Sequence, residues 1–148
     1  MKKNILSIIF SLITLTVSAQ IETPVKWSYG VKKVDAGNAI LFVKANIEKG
    51  WHIYSQTVKD GGPVKTSLKF IKTDDYNISG STIAPKPIIK YENAFKMNVE
   101  YYEDQVIFQQ RITVKPGQQV IKGTIEYMAC NSKECLPPED VEFSIAIK

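Results

Sequence analysis

A chain of 148 residues with 44% hydrophobic and 23% charged side chains is too apolar for a disordered tail and too mixed for a low-complexity fibre. Its 19 Lys and Arg are interleaved with 15 Asp and Glu, so the formal net charge of +4 is not gathered into a basic patch and no nucleic-acid partner is expected. The length fits one compact domain.

The N-terminus reads Met1-Lys2-Lys3-Asn4, then an apolar run from Ile5 to Val17 broken only by Ser and Thr, then Ser18-Ala19-Gln20. Basic start, short apolar run and small residues at the end are the layout of a secretory signal peptide, residues 1–19, cut after Ala19. The run is short for a permanent span, which needs about 20 apolar residues, although a retained anchor is the competing reading. No cysteine follows the cut, so lipid attachment there is not expected. Residues 20–148 form the expected mature domain, and the cut removes Lys2 and Lys3, so part of the basicity belongs to targeting. No later segment is long and apolar enough to be a span. The domain is therefore expected to be periplasmic and not membrane-embedded, in a compartment where disulfides persist.

From there the pattern has period two, without sustained 3.6-residue periodicity. Strand candidates are 25–34, 39–47, 51–55, 66–71, 76–83 and 99–103, followed by 106–114, 121–127 and 141–147. Within 39–47, Leu41, Val43, Ala45 and Ile47 share one face while Lys44 and Asn46 take the other. Turns are expected at Asp35-Ala36-Gly37-Asn38, Lys49-Gly50, Asp60-Gly61-Gly62-Pro63, Asp74-Asp75, Pro85-Lys86-Pro87 and Lys115-Pro116-Gly117. Short strands at this spacing predict an all-β domain, an immunoglobulin-like antiparallel β-sandwich, with a small β-barrel as the alternative because pattern alone does not say whether the sheet closes. The distant cysteine pair of antibody domains is absent.

Both cysteines sit instead in one loop, Cys130-Asn131-Ser132-Lys133-Glu134-Cys135, ahead of Leu136-Pro137-Pro138. A loop this short can bring two Cα atoms to the usual bridging distance of about 4.4–6.8 Å. Loop entropy credits such a bridge with roughly 2 kcal/mol, less than a bridge between distant strands would give. If the pleat of 121–127 persists through residue 130, Cys130 falls on the face of Lys122, Thr124 and Glu126, opposite Ile125 and Tyr127, and is open to attack by another thiolate. An inert bridge and a redox-active pair are both compatible with this chemistry. A zinc site is disfavoured, since two Cys and the lone His52 are one ligand short. A thioredoxin-type C-x-x-C site is disfavoured by the spacing and by the lack of a following helix.

The Cys130–Cys135 loop with its following Leu136-Pro137-Pro138, the upstream Gly50-Trp51-His52-Ile53-Tyr54-Ser55 and the Tyr91–Tyr102 segment together resemble the periplasmic N-terminal domain of DsbD, the transmembrane thiol:disulfide interchange protein, also called the disulfide bond corrector domain. The resemblance covers essentially all of residues 20–148, and the Cys-loop-Cys-x-Pro-Pro motif is its most specific part. It implies an immunoglobulin-like fold with a redox-active Cys130/Cys135 pair. That pair takes electrons from a thioredoxin-like partner or a membrane thiol-disulfide donor and passes them to exported thiol-disulfide proteins, those of cytochrome c maturation among them. No cofactor or metal is expected, because the cysteines carry the electron pair, and the expected state is a monomer.

Residue by residue, the resemblance implies that Cys135 is the attacking thiol and Cys130 its resolving partner. It also implies that Glu92-Asn93-Ala94-Phe95-Lys96-Met97 is a cap loop whose Phe95 covers the disulfide, helped by Met97. His52 and Tyr54 fall where the family places two aromatic residues beside the cysteines, and Pro137 lies in the motif itself. For a lone Phe, plain core packing is the commoner role. His52, as a nearby cation, would favour a thiolate, although a single His at a strand start is more often a partly exposed polar residue. Trp27, Trp51, Tyr101 and Tyr102 are assigned to core or sheet packing. The chain departs from the proteobacterial pattern in a loop one residue shorter, in Asn93 and Ala94 where acidic residues stand and in His52 where Tyr stands, and it is expected to stand without the family's membrane and C-terminal thioredoxin domains. A different class of function, a non-catalytic β-sandwich binding module with a structural loop disulfide, is the alternative.

Overall fold

The structure, a computed structural model, describes residues 23–117 and 119–147, so the predicted leader and its cut after Ala19 lie outside the described residues. Among these, the alternating pattern forms strands and no helix. The strands are β1 (Val25–Lys33), β2 (Asn38–Ile47), β3 (His52–Tyr54), β4 (Ser67–Phe70), β5 (Tyr76–Ile83), β6 (Ile88–Glu92), β7 (Met97–Tyr102), β8 (Gln105–Val114), β9 (Gln119–Tyr127), β10 (Ala129–Cys130) and β11 (Glu139–Ile147). They pair antiparallel in three sheets, β1-β2-β8-β5, β10-β3-β7-β6 and β11-β9-β4. Each sheet ends in edge strands, so the architecture is the immunoglobulin-like sandwich and not the closed barrel.

Inward residues of the first sheet, Leu41, Val43 and Ala45 on β2 with Val106, Phe108 and Ile112 on β8, share one core with Ile121 and Ile125 on β9 and Phe143, Ile145 and Ile147 on β11. Burying each of the larger aliphatic or aromatic chains stabilises the fold by about 1.5–3 kcal/mol. Trp27 on β1 meets Tyr127 on β9 edge-on with centroids 5.3 Å apart, and Tyr29 packs on Phe143 at 5.6 Å. These pairs join the first sheet to the third.

The inward row of β8 has one polar member, the buried Gln110. Its Nε2 donates to the carbonyls of Ser79 and Gly80 at 3.2 and 3.3 Å, and its Oε1 accepts from Thr82 Oγ1 at 2.7 Å. The amide thereby satisfies the backbone of the register shift between Ser79 and Ile83 in β5, where Gly80 turns through φ 72°.

Two strands were not legible from the pattern. Ile88–Glu92 follows Pro85-Lys86-Pro87 and has two adjacent isoleucines in place of alternation, because it is a sheet edge with Ile88, Ile89 and Tyr91 exposed. The other, Ala129–Cys130, is two residues long and is what places the first cysteine.

Candidate redox site

The second sheet has two faces with different tasks. Its register pairs Ile53 with Tyr102 and with Ala129, Tyr54 with Tyr101, and Cys130 with His52, while β6 pairs Lys90 with Val99 and Glu92 with Met97. Opposed residues share a face and successive ones alternate. Ile53, Tyr102 and Ala129 therefore enter the main core. Tyr54, Val99, Tyr101 and Cys130 form a second, smaller core on the outer face, with Val58, Phe95, Met97 and Met128 packed against it.

Cys130 reaches this face because the chain changes sheets. β9 ends at Tyr127, and after Met128 β10 pairs with β3 in place of β4 or β11, the alternation carrying on so that Ala129 faces the main core like Tyr127 while Met128 and Cys130 face outward. The parity extrapolated from β9 holds, since Cys130 lies on the face opposite Ile125 and Tyr127, but the expected openness does not: the outer cluster covers that face and Cys130 is only 2% exposed. Cys135 is exposed. The accessibility expected of Cys130 on that face thus belongs to Cys135.

The two cysteines are bonded and directly opposed in a hairpin. Asn131 N–H donates to the Glu134 carbonyl and Leu136 N–H to the Ala129 carbonyl, both at 2.9 Å, so the hydrogen bonds flank the cysteine pair and do not join it. Such non-hydrogen-bonded pairs have the closest Cα atoms of an antiparallel ladder, about 4.5 Å. Here the Cα separation is 4.0 Å, just below the range expected from the loop length. Asn131 organises the turn, since its Oδ1 accepts from the Lys133 and Glu134 N–H groups at 2.8 and 2.9 Å.

The cap segment is the turn between β6 and β7. Phe95 N–H donates to the Glu92 carbonyl at 3.2 Å, and Lys96 adopts a left-handed φ of 53° before the chain rejoins the ladder at Met97. This conformation sets Phe95 edge-on against Tyr54. The facing loop closes on the same cluster: a Cβ on Gly62 would lie 3.0 Å from Met97 Sδ and 2.7 Å from a Val58 methyl, so only glycine allows this approach. That loop is tied to β7 by Ser55 and Thr57 hydroxyls, both donating to Glu100 Oε2, and to β3 by Thr66 Oγ1 donating to the Tyr54 carbonyl at 2.6 Å.

His52 is half-buried at the edge of the cluster. Its Nε2 shares a hydrogen bond with Tyr54 Oη at 3.3 Å, and its ring packs on Tyr101 with centroids 4.9 Å apart. Burial holds its pKa below the ordinary histidine value, against the opposing pull of Glu92 and Glu103, with Lys90 adding to the depression. Burial, seconded by Glu92, pushes the Tyr54 phenol up to about 12. The imidazole is therefore neutral, and the phenol protonated, at pH 7.

Phe95, Met97, His52 and Tyr54 are thus gathered around Cys130. Pro137 is exposed and stands outside the cluster, beyond Leu136, which packs on the main core. Tyr101, assigned with Tyr102 to general packing, belongs to the site. Adjacent residues of a strand face opposite ways, and that alternation is the signal that separates the two. Val58, Val99 and Met128 carried no signal of their own.

A family model described as thiol:disulfide interchange protein DsbD, N-terminal, matches residues 16–146. Among solved structures, the DsbD N-terminal domain of Neisseria meningitidis in the reduced form is similar with a TM-score of 0.55 and 20% identity, over 80% of this chain and 83% of that one. The N-terminal periplasmic domain of ScsB from Proteus mirabilis gives 0.56 at 16% identity, over 80% of this chain and 44% of that one. The complex between the DsbD and PilB N-terminal domains from Neisseria meningitidis gives 0.52 at 20% identity, over 80% of each chain. No curated protein matches the sequence. The structures establish the shared fold, and the family model, which spans nearly all of the described residues, establishes that the chain belongs to the DsbD N-terminal domain family.

Proposed function

We propose that the domain is a periplasmic thiol-disulfide exchange module in which Cys130 and Cys135 relay an electron pair from a thioredoxin-like or membrane donor to exported disulfide proteins. The observation that carries this reading is the asymmetry of the pair: Cys135 is exposed, while Cys130 lies buried under the aromatic cluster and cap. An incoming donor thiolate has access to Cys135 Sγ alone. Attack there forms a mixed disulfide and releases Cys130 as the leaving sulfur, and a second donor thiolate completes reduction. In the output direction Cys135 thiolate attacks the acceptor disulfide and Cys130 resolves the intermediate. Family membership supports the chemistry. The periplasmic domain of ScsB supports the compartment, and the neisserial complex with PilB supports a protein as the partner.

Trapping tests this. Cys130→Ser leaves Cys135 able to attack but removes the resolving sulfur, so mixed disulfides should accumulate in cells and vanish when Cys135 is also changed to Ser. If no adduct forms, and the wild-type pair has a reduction potential below about −300 mV, the bridge is structural and the domain is a binding module.

A further inference from the structure

Resolution by Cys130 raises a difficulty that attack by Cys135 does not. To displace a partner held on Cys135, Cys130 must lose its proton, and the residue is 2% exposed in a cluster of Tyr54, Val99 and Tyr101. An apolar environment disfavours the thiolate, raising a thiol above its usual value of about 8.5. Water has little access under the cap, so a base inside the site is needed.

The β3–β10 register supplies one candidate. His52 is the residue directly opposite Cys130. Side chains so opposed share a face with Cβ atoms about 4.5–5.5 Å apart. The other titratable or charged groups around the imidazole are the Tyr54 phenol on its own strand, Tyr101 and, beyond the end of β7, Glu103, and Lys90 and Glu92 on β6. The two tyrosines hold their protons, since burial raises both. The carboxylates of Glu92 and Glu103 act on His52 through space as charges.

We propose that His52 is the base that takes the Cys130 proton when Cys130 resolves a mixed disulfide on Cys135, an inference that rests on the exchange function above. Tyr54 is its positioning residue. With Nε2–H donating to Tyr54 Oη, Nδ1 keeps the free lone pair that accepts the proton. Cys130 thiolate then attacks Cys135 Sγ, so the Cys130–Cys135 bond forms and the Cys135–partner bond breaks. The partner sulfur leaves with the bonding electron pair and takes the proton from the imidazolium. Counted over both steps, the domain's two thiols are oxidised to a disulfide and the partner's disulfide is reduced to two thiols. The burial that keeps His52 neutral at pH 7 leaves its lone pair ready for this step.

Reduced protein mixed with 5,5′-dithiobis(2-nitrobenzoate) separates the two steps. Attack by Cys135 releases the first thionitrobenzoate in a second-order phase, and resolution by Cys130 releases the second in a first-order phase. His52→Gln should slow the second phase about 100-fold at pH 7, the low end of what a positioned base contributes. It should leave the first phase within about 2-fold, and should replace the wild-type profile of the resolution rate, level near neutrality and falling below about pH 6.5 where an ordinary imidazole titrates, with a rate that falls continuously from alkaline pH as the thiolate is lost. Tyr54→Phe, which keeps the ring and removes the hydroxyl, should slow the second phase by a smaller factor, about 3-fold, and serves if His52→Gln fails to fold. An unchanged second phase and pH profile in either folded variant overturns the role of His52 while the relay stands. Wild-type protein that shows no first phase overturns the relay, and the proposal with it.

Discussion

Phe95 and Tyr54 meet edge-on, with ring centroids 6.1 Å apart and planes at 85°. One ring comes from an exposed turn and the other is fully buried beneath it, beside Cys130. The contact ties the position of the cap to the aromatic floor of the disulfide. Such pairs contribute about 0.5–1.5 kcal/mol beyond area burial, enough to keep the cap closed and little enough for a docking protein to replace.

Phe95→Ala should therefore uncover the sulfurs without unfolding the domain. Reduction of the disulfide by dithiothreitol should accelerate several-fold, while the urea midpoint falls by no more than a half-buried aromatic allows, about 1–2 kcal/mol in stability. Stopped-flow reduction kinetics check this. A rate equal to wild type would make Phe95 an ordinary packing residue.

The turn that presents Phe95 holds Lys96 at φ 53°, a conformation that costs a side-chain-bearing residue about 1 kcal/mol relative to glycine. Lys96→Gly should raise the melting temperature by a few degrees and slow small-thiol reduction, since the closed cap loses its backbone strain. Lys96→Val, β-branched and worse in this region, should do the reverse. Calorimetry together with the same reduction assay reads both effects, and changes of the same sign in the two variants would exclude backbone strain as the cause.

How far the sequence revealed this site follows from the same strands. Alternation in 39–47 and 106–114 outweighs its exceptions, Ile40, Phe42, Ile107 and Gln110, because those strands are long and buried on one face, so the sandwich was readable. The face on which Cys130 lies followed from the parity of β9, but its burial did not, because the cover comes from β3, β7 and the cap turn through a change of sheet that no local pattern marks. Phe95, Met97, His52 and Tyr54 were found through the family motif. Alternation separates Tyr101 from Tyr102, but placing Tyr101 at the site needed its long-range pairing with Tyr54, which a single sequence does not display.

Stability should fall on both sides of neutrality. Burial holds His52 below its ordinary value, so the unfolded chain takes up the proton first, and stability is lost as pH drops below about 6.5. Burial raises Tyr29, Tyr54, Tyr76, Tyr101, Tyr102 and Tyr127, so unfolded tyrosines ionise first, and stability present below about pH 10 is lost as pH rises, through about 12 for Tyr54. Urea midpoints measured from pH 5 to 11 should trace this dome. His52→Gln should flatten the limb between pH 6.5 and 5 and leave the alkaline limb intact, and an unchanged acid limb would remove His52 from its origin.

Gly123 lies between Ile121 and Ile125 on the inward row of β9, where a Cβ would stand 2.3 Å from the Lys69 carbonyl and 2.5 Å from the Phe143 ring. Both neighbours are fixed, the carbonyl by its place in the β4–β9 ladder and the ring by its packing on Tyr29 and Phe70. Gly123→Ala should therefore cost about 1–3 kcal/mol, as overpacking does in a close-packed core. Because the glycine is in the third sheet and the cysteines cross-link a hairpin on the second, the loss should appear as a lower urea midpoint with an unchanged rate of disulfide reduction in the folded protein. A change in that rate at native conditions would mean that β4 and β9 set the geometry of the hairpin, and the two sheets would no longer be separable in function.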